Sequence, residues 1–155
     1  MKVASINEIK KELSDQKPAQ LLEYCLQLAR FKKENKELLS YLLFEAQDHA
    51  NYISEVQDEI TNQFELMNHS NIYLIKKSVR KILRNVNKKI RFASQTEVEI
   101  ELLMHFCYCI DQYSIPIHQS RQLTNLYEKQ FEKIKKCIEK LHPDLQYDFK
   151  KRLKS

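Results

Sequence analysis

The sequence predicts an all-α protein, and three observations support that prediction. Apolar residues recur at intervals of three and four along almost the whole chain, which is the period of an amphipathic helix. The 155 residues include no glycine, where an average chain of this length would have about eleven. Hydrophobic residues make up 43% of the chain, which is enough for a packed core without disulfides or metal. We therefore expect a single-domain antiparallel helical bundle of about six or seven helices over residues 1–155, with a short αα-superhelix as the alternative.

Two short helices are predicted in the first 31 residues. Ser5 and Glu8 have the spacing of a capping box, in which each side chain accepts a hydrogen bond from the other residue's backbone. Pro18 suits the first turn of the second helix, because an amide hydrogen has no helical partner there. That helix should end near Phe31.

The segment 35–67 is unusually long for one helix. Apolar residues follow one face throughout, and no proline or glycine interrupts them. A single helix of this length would extend about 50 Å. A break near residues 48–51 would give two helices instead, and the sequence leaves both possibilities open.

The second half of the chain predicts helices separated by short loops. Ile, Val and Leu follow one side of a helix spanning about 72–92. Ser94 and Glu97 have the spacing of a second capping box and predict the start of the next helix. Pro116 ends that helix, and after one more helix Pro143 begins the last. Nine apolar residues on these stripes should be buried: Leu42, Ile53, Ile60, Val79, Val86, Leu102, Phe106, Phe131 and Ile134.

Nothing in the sequence indicates export or insertion into a membrane. The first eight residues lack the apolar stretch of a signal peptide. The longest apolar run, 106–110, is far shorter than the ~20 residues that a membrane span needs. The four cysteines are then most simply reduced thiols, so we expect a cytoplasmic location and no membrane partner.

Charged residues are arranged in blocks. Residues 37–75 contain seven acids and no Lys or Arg, residues 66–96 contain eight bases and no acid, and residues 97–120 contain four acids and no base. Seven of the eight bases fall within about 140° of a helical wheel, at ~100° per residue, nearly opposite the apolar side. These seven form what we call the basic face, and they are the candidate nucleic-acid-binding residues: Lys76, Lys77, Arg80, Lys81, Arg84, Lys88 and Arg91.

The basic face has two interpretations. The acidic segments on either side of it should form neighbouring helices, so the blocks would attract one another within the fold or simply face solvent. Exposed pairs of this kind contribute about 0–1 kcal/mol each. We favour this interpretation on sequence grounds. If the acids point elsewhere, the face stays open and should bind the phosphates of RNA or DNA.

Patterns that suggest metal chemistry have simpler explanations. Three histidines follow a glutamate by four residues, but di-iron carboxylate bundles use a spacing of three. A local Glu–His hydrogen bond or ion pair is therefore expected, and His49, the one histidine on an apolar stripe, should be partly buried. In the histidine and two cysteines at 105, 107 and 109, Cys107 points ~160° away from Cys109 on a helix, and zinc sites usually use a CxxC turn that is missing here, so no zinc site is expected. The three pairs are Glu45/His49, Glu65/His69 and Glu101/His105.

A stripe of four tyrosines suggests an aromatic cage for a ligand. Half-buried core tyrosines are the simpler explanation, because the ring packs inside while the hydroxyl stays hydrated. The four are Tyr24, Tyr41, Tyr52 and Tyr73.

The sequence predicts no catalysis and no cofactor. A chain without glycine cannot form the phosphate-binding loops of nucleotide-dependent enzymes, and no other motif has a recognisable mechanism. The leading hypothesis is a cytoplasmic helical interaction or accessory protein that acts through a surface, with another protein or a second copy as partner. RNA or DNA binding through the basic face is the alternative, and a metal-dependent helical-bundle enzyme is the second alternative.

Overall fold

The computed structural model describes residues 1–154, which form helices and loops. Helix accounts for 82% of the chain, and residues 1–154 contain no strand, which confirms the all-α prediction. These residues form eight α-helices: α1 (Ile6–Ser14), α2 (Pro18–Phe31), α3 (Lys33–Ser40), α4 (His49–Leu66), α5 (Ile72–Ala93), α6 (Thr96–Gln112), α7 (Arg121–Glu139) and α8 (Pro143–Lys154).

The contacts between residues divide the chain into two compact units. Unit 1 comprises Met1–Phe44, and unit 2 begins at Glu45 and contains α4 to α8. The single domain over residues 1–155 stays a prediction.

The long segment 35–67 forms two helices rather than one. After α3 the chain makes a π-helical turn, Tyr41–Glu45, and α4 begins at His49. The carboxylate of Asp48 accepts a hydrogen bond of 3.0 Å from the backbone N–H of Asn51, which caps the new helix. The break therefore lies at residues 46–48, immediately before α4, and it overlaps the predicted 48–51 stretch at Asp48.

Of the two predicted capping boxes, the one at the start of α1 is confirmed and the one at the start of α6 is wrong. At α1 the Ser5 amide donates to the Glu8 carboxylate at 2.7 Å, and the Glu8 amide donates to Ser5 Oγ at 3.3 Å. Ser94, however, does not cap α6; it ends α5 with a left-handed backbone, φ 49°. Helices commonly end on a glycine in this conformation. Because the chain has no glycine, Ser94 takes the position, and Ser114 adopts the same conformation after α6.

Helix α6 is the centre of unit 2. It packs against α4, α5 and α7, and eight of its residues are buried on different sides of the helix. A helix that is apolar on most sides is stable only inside a fold. Tyr127 in the first half of α7 donates to Asp111 near the end of α6, and Cys137 near the end of α7 contacts Glu99 at the start of α6, so these two helices are antiparallel. The eight buried residues are Val98, Ile100, Leu102, Leu103, Phe106, Cys107, Cys109 and Ile110.

The expected core residues lie mostly as predicted. Leu42 is wrong, since its side chain is 53% exposed. Leu42 lies in the π-helical turn, and Tyr41 is the buried residue of that turn. Ile53 and Phe131 are half-buried, and the other six are buried: Ile60, Val79, Val86, Leu102, Phe106 and Ile134.

Unit 1 has little interior. None of the residues of α1, α2 or α3 is buried, although α2 and α3 pack together. The side-chain amide of Asn35 in α3 donates to the carbonyl oxygen of Leu28 in α2 at 2.8 Å. Apolar side chains of α2 remain in solvent, with Phe31 85% exposed.

Replacing Leu102 with alanine should lower the free energy of unfolding by about 2–5 kcal/mol, because a cavity would remain among atoms that are packed from all sides. The matched control is Leu66→Ala at the exposed end of α4, which should change it by less than about 0.5 kcal/mol. Urea denaturation of the two variants checks both values. A loss at Leu102 no larger than at Leu66 would contradict the placement of α6 at the centre.

Candidate nucleic-acid interface

Helix α5 separates an apolar side from a basic side. Its first turn is capped by Asn71, whose side chain accepts a hydrogen bond of 3.0 Å from the backbone N–H of Leu74. The buried residues recur every three or four positions and face the interior of unit 2. They are Ile75, Val79, Ile82, Val86, Ile90 and Ala93.

The seven sequence-predicted site residues share the outward surface of α5. Lys76 and Lys88 are half-buried. The others are exposed: Lys77, Arg80, Lys81, Arg84 and Arg91. The structure therefore brings these seven side chains onto one surface.

A neutral side chain from α7 contacts the N-terminal part of the basic face. Gln122 Oε1 accepts hydrogen bonds from Lys76 Nζ at 3.3 Å and from Arg80 Nη2 at 2.8 Å. The amide oxygen has no net charge, so it holds two cations near each other without neutralising either. The sequence does not reveal this contact, because the residues are more than 40 positions apart.

The neighbouring acids neutralise little of the basic face. Glu59 of α4 lies 3.7 Å from the ammonium of Lys89, which is the one base of α5 outside the basic face. Among the residues that the structure describes, no ion pair reaches six of the seven members. These six are Lys76, Lys77, Arg80, Lys81, Arg84 and Arg91.

Several acids of α4 and α6 instead bind side chains away from α5. Tyrosine hydroxyls donate to two of these carboxylates, and a guanidinium in α8 donates to the third in a bidentate pair. These acids are therefore turned toward α6, α7 and α8. They point away from the basic face, and these three acids do not cover it. The contacts are Tyr113 to Glu65 (3.0 Å), Tyr127 to Asp111 (2.9 and 3.0 Å), and Arg152 to Glu101 (2.6 and 2.8 Å).

Two of the three expected Glu–His pairs are replaced by other contacts. Glu65 and Glu101 bind a tyrosine and an arginine instead of the histidines that follow them. His49 is exposed, not partly buried, because it opens α4 just after the break. In residues 1–153 no three His, Cys, Asp or Glu side chains form a group that could hold a metal ion.

The histidine that is half-buried is His105, which sequence reasoning missed. Its Nε2 lies 2.9 Å from Thr61 Oγ1 and 3.5 Å from Cys109 Sγ. Burial lowers the pKa of His105 and raises the pKa of Cys109. A neutral imidazole beside a protonated thiol lacks the thiolate that a nucleophilic pair requires. The four-residue spacing on an apolar helix was the available signal for this contact.

A cleft of about 440 Å³ lies next to His105. Met104, Phe131 and Leu153 contribute apolar surface to it. Its three charged groups already have partners: Glu101 and Arg152 bind each other, and Asp111 accepts a hydrogen bond from Tyr127.

All four cysteines are free, as expected. Cys25 is exposed, whereas Cys107, Cys109 and Cys137 are buried. Burial, with a smaller contribution from the charge of Asp111, raises the pKa of Cys107 to about 12, so this thiol stays protonated near neutral pH.

The four tyrosines of the stripe do not all lie in the core. Tyr41 and Tyr52 are buried, but Tyr24 and Tyr73 are exposed. Tyr73 therefore has no core role, and it lies on α5 beside the basic face.

Comparison with protein-family models, curated proteins and solved structures found no significant match to the chain. Within the described residues, no helix combines the length and the apolar composition needed to cross a bilayer. The function therefore has to be inferred from the geometry of the side chains.

Unfolding should become easier as the pH falls below about 6.5, the unfolded value for histidine. Burial lowers the pKa of His105 in the folded chain, so the unfolded chain binds the proton first and gains stability. Urea denaturation at about pH 7 and about pH 5 should show a smaller loss of stability in His105→Gln than in wild type. His118→Gln, on the exposed turn after α6, is the control and should keep the wild-type loss. An unchanged loss in His105→Gln would contradict a buried, neutral His105.

Proposed function

We propose that the chain is a nucleic-acid-binding protein that contacts the phosphates of RNA or DNA through the basic face of α5. The observation that supports this most directly is the absence of ion pairs at Lys77, Arg80, Lys81, Arg84 and Arg91 among the described residues. The surface through which the protein would interact is therefore positively charged and faces solvent.

The dimensions of the basic face suit a run of phosphates. From Lys76 to Arg91 the helix extends about 22 Å, at 1.5 Å per residue. Successive phosphates along one strand of a duplex lie about 3.4 Å apart along the axis, so several of them fit within this length. Arginine can bind one phosphate with two parallel N–H groups, whereas lysine acts as a single positive charge. The proposal needs no catalytic residue and no cofactor.

Affinity in this mode comes from counterion release, so it depends on salt. Each phosphate contact contributes a log–log slope of about −0.9 on duplex DNA and about −0.7 on single strands. Seven contacts would give at most about −6 on a duplex. Contacts to phosphates alone do not read sequence, so we expect dissociation constants of about 10⁻⁴ to 10⁻⁶ M at physiological salt.

The test measures binding of the full chain to RNA and DNA oligonucleotides by fluorescence anisotropy, at about 50 and 200 mM salt. Arg80→Glu/Arg84→Glu should lower the affinity at least tenfold and reduce the slope, because two contacts are replaced by repulsion. Lys135→Glu/Lys150→Glu makes the same change in net charge on exposed residues of α7 and α8 and should bind nearly as wild type.

Two outcomes would contradict the proposal. One is the absence of salt-dependent binding in the wild type. The other is an equal loss in the two charge-reversed variants, which would mean that net charge acts and the basic face does not.

A second candidate function is self-association through unit 1, and the exposed apolar residues of α2 favour it. Leu22, Leu28 and Phe31 are 62%, 59% and 85% exposed. Leu28 and Phe31 are three residues apart and so share a side of α2, and exposed apolar residues that lie together commonly mark an interface. A second copy has the same exposed apolar residues, so a twofold arrangement would pack the apolar surface of one copy against that of the other. The four free thiols agree with a cytoplasmic location, which we propose for either function.

Light scattering over a concentration series should then show a dimer that dissociates on dilution. Leu28→Lys/Phe31→Lys should remain monomeric, because the charges would have to be buried between the copies. Tyr147→Lys, on the exposed surface of α8, is the control and should dimerise as wild type. A wild-type chain that stays monomeric at every concentration would contradict self-association.

A further inference from the structure

Helix α5 presents an aromatic ring together with its positive charges. Tyr73 lies in the first turn of α5, and 68% of its side chain is exposed. At ~100° per residue it lies within about 10° of the centre of the basic face on a helical wheel. Among the described residues it is the one exposed aromatic residue of α5.

We propose that Tyr73 stacks on an unpaired base while Lys76 and Arg80 bind the adjoining phosphates, so that the partner is single-stranded RNA or DNA. This inference rests on the proposed function. It adds a site with a defined arrangement to what is otherwise a general attraction between opposite charges.

The spacing along the helix places the groups within reach of one nucleotide segment. Lys76 and Lys77 follow Tyr73 by three and four residues, which puts their Cβ atoms about 5–6 Å from that of Tyr73. Arg80 lies one turn further on. The bonds from Lys76 and Arg80 to Gln122 Oε1, of 3.3 and 2.8 Å, hold both cations at this end of the face.

A paired strand cannot use Tyr73 in this way. In a duplex the faces of the bases are stacked on one another, and a side chain that lies among phosphate contacts reaches only the backbone. In a single strand the bases can turn out and stack on aromatic rings. Each such stack contributes about 1–3 kcal/mol and tolerates any base. Tyr73 therefore favours single strands without selecting a sequence.

The first measurement uses the absence of tryptophan from the chain. In Tyr73→Trp the new ring is the sole indole, so its fluorescence reports contact with a base directly. We expect quenching by a single-stranded oligonucleotide and little change with an abasic strand of equal length, which keeps the phosphates and lacks the bases. Tyr108→Trp places the same probe on an exposed position of α6 and should respond to neither.

The second measurement is affinity. Tyr73→Ala should weaken binding to the single strand by about 5- to 150-fold and leave binding to a duplex of equal length unchanged. Tyr73→Phe keeps the ring and should bind as wild type. Tyr108→Ala removes an exposed tyrosine outside the basic face and should also bind as wild type.

The outcomes separate this inference from the proposed function. Salt-dependent binding that Arg80→Glu/Arg84→Glu abolishes and Tyr73→Ala leaves unchanged would overturn base stacking and keep phosphate binding. Equal losses of single-strand and duplex affinity in Tyr73→Ala would also overturn stacking, because the ring would then support the helix and not the base. No salt-dependent binding to either ligand would overturn both.

Discussion

The burial of α6 over more than half of its circumference is the constraint on which the rest of unit 2 depends. Its eight buried residues point in different directions, so helices have to cover it from more than one side. Helices α4, α5 and α7 do so, each with an apolar stripe turned inward. The opposite side of each covering helix is then left for solvent, and on α5 that side is the basic face.

The distribution of charge follows from how these helices cover α6. Glu65 is held by the hydroxyl of Tyr113 just after α6, Asp111 by a tyrosine hydroxyl of α7, and Glu101 by Arg152 of α8. Acids that are close to the bases in sequence are thus engaged elsewhere in space. Because ion pairs on a surface contribute only about 0–1 kcal/mol each, the fold gains little by pairing every base. The basic face can therefore stay open at small cost to stability.

The lack of glycine shapes the loops of the molecule as well as its fold class. Left-handed positions still occur, and in this chain without glycine two serines, Ser94 and Ser114, occupy them. This is why a serine three residues before a glutamate was misread as a capping box at α6. A short polar residue near a helix boundary can end one helix or cap the start of the next, and only its backbone angle distinguishes the two roles.

By itself, the sequence determined the helical class, most helix boundaries and most of the core, because these depend on local periodicity, prolines and capping residues. It also determined which seven bases share a face, since that follows from residues on a single helix. The tertiary structure decided whether acids cover that face, which histidine is half-buried, and that Gln122 joins Lys76 to Arg80. These features depend on how one helix is rotated against another, and spacing along the chain contains no information about that rotation.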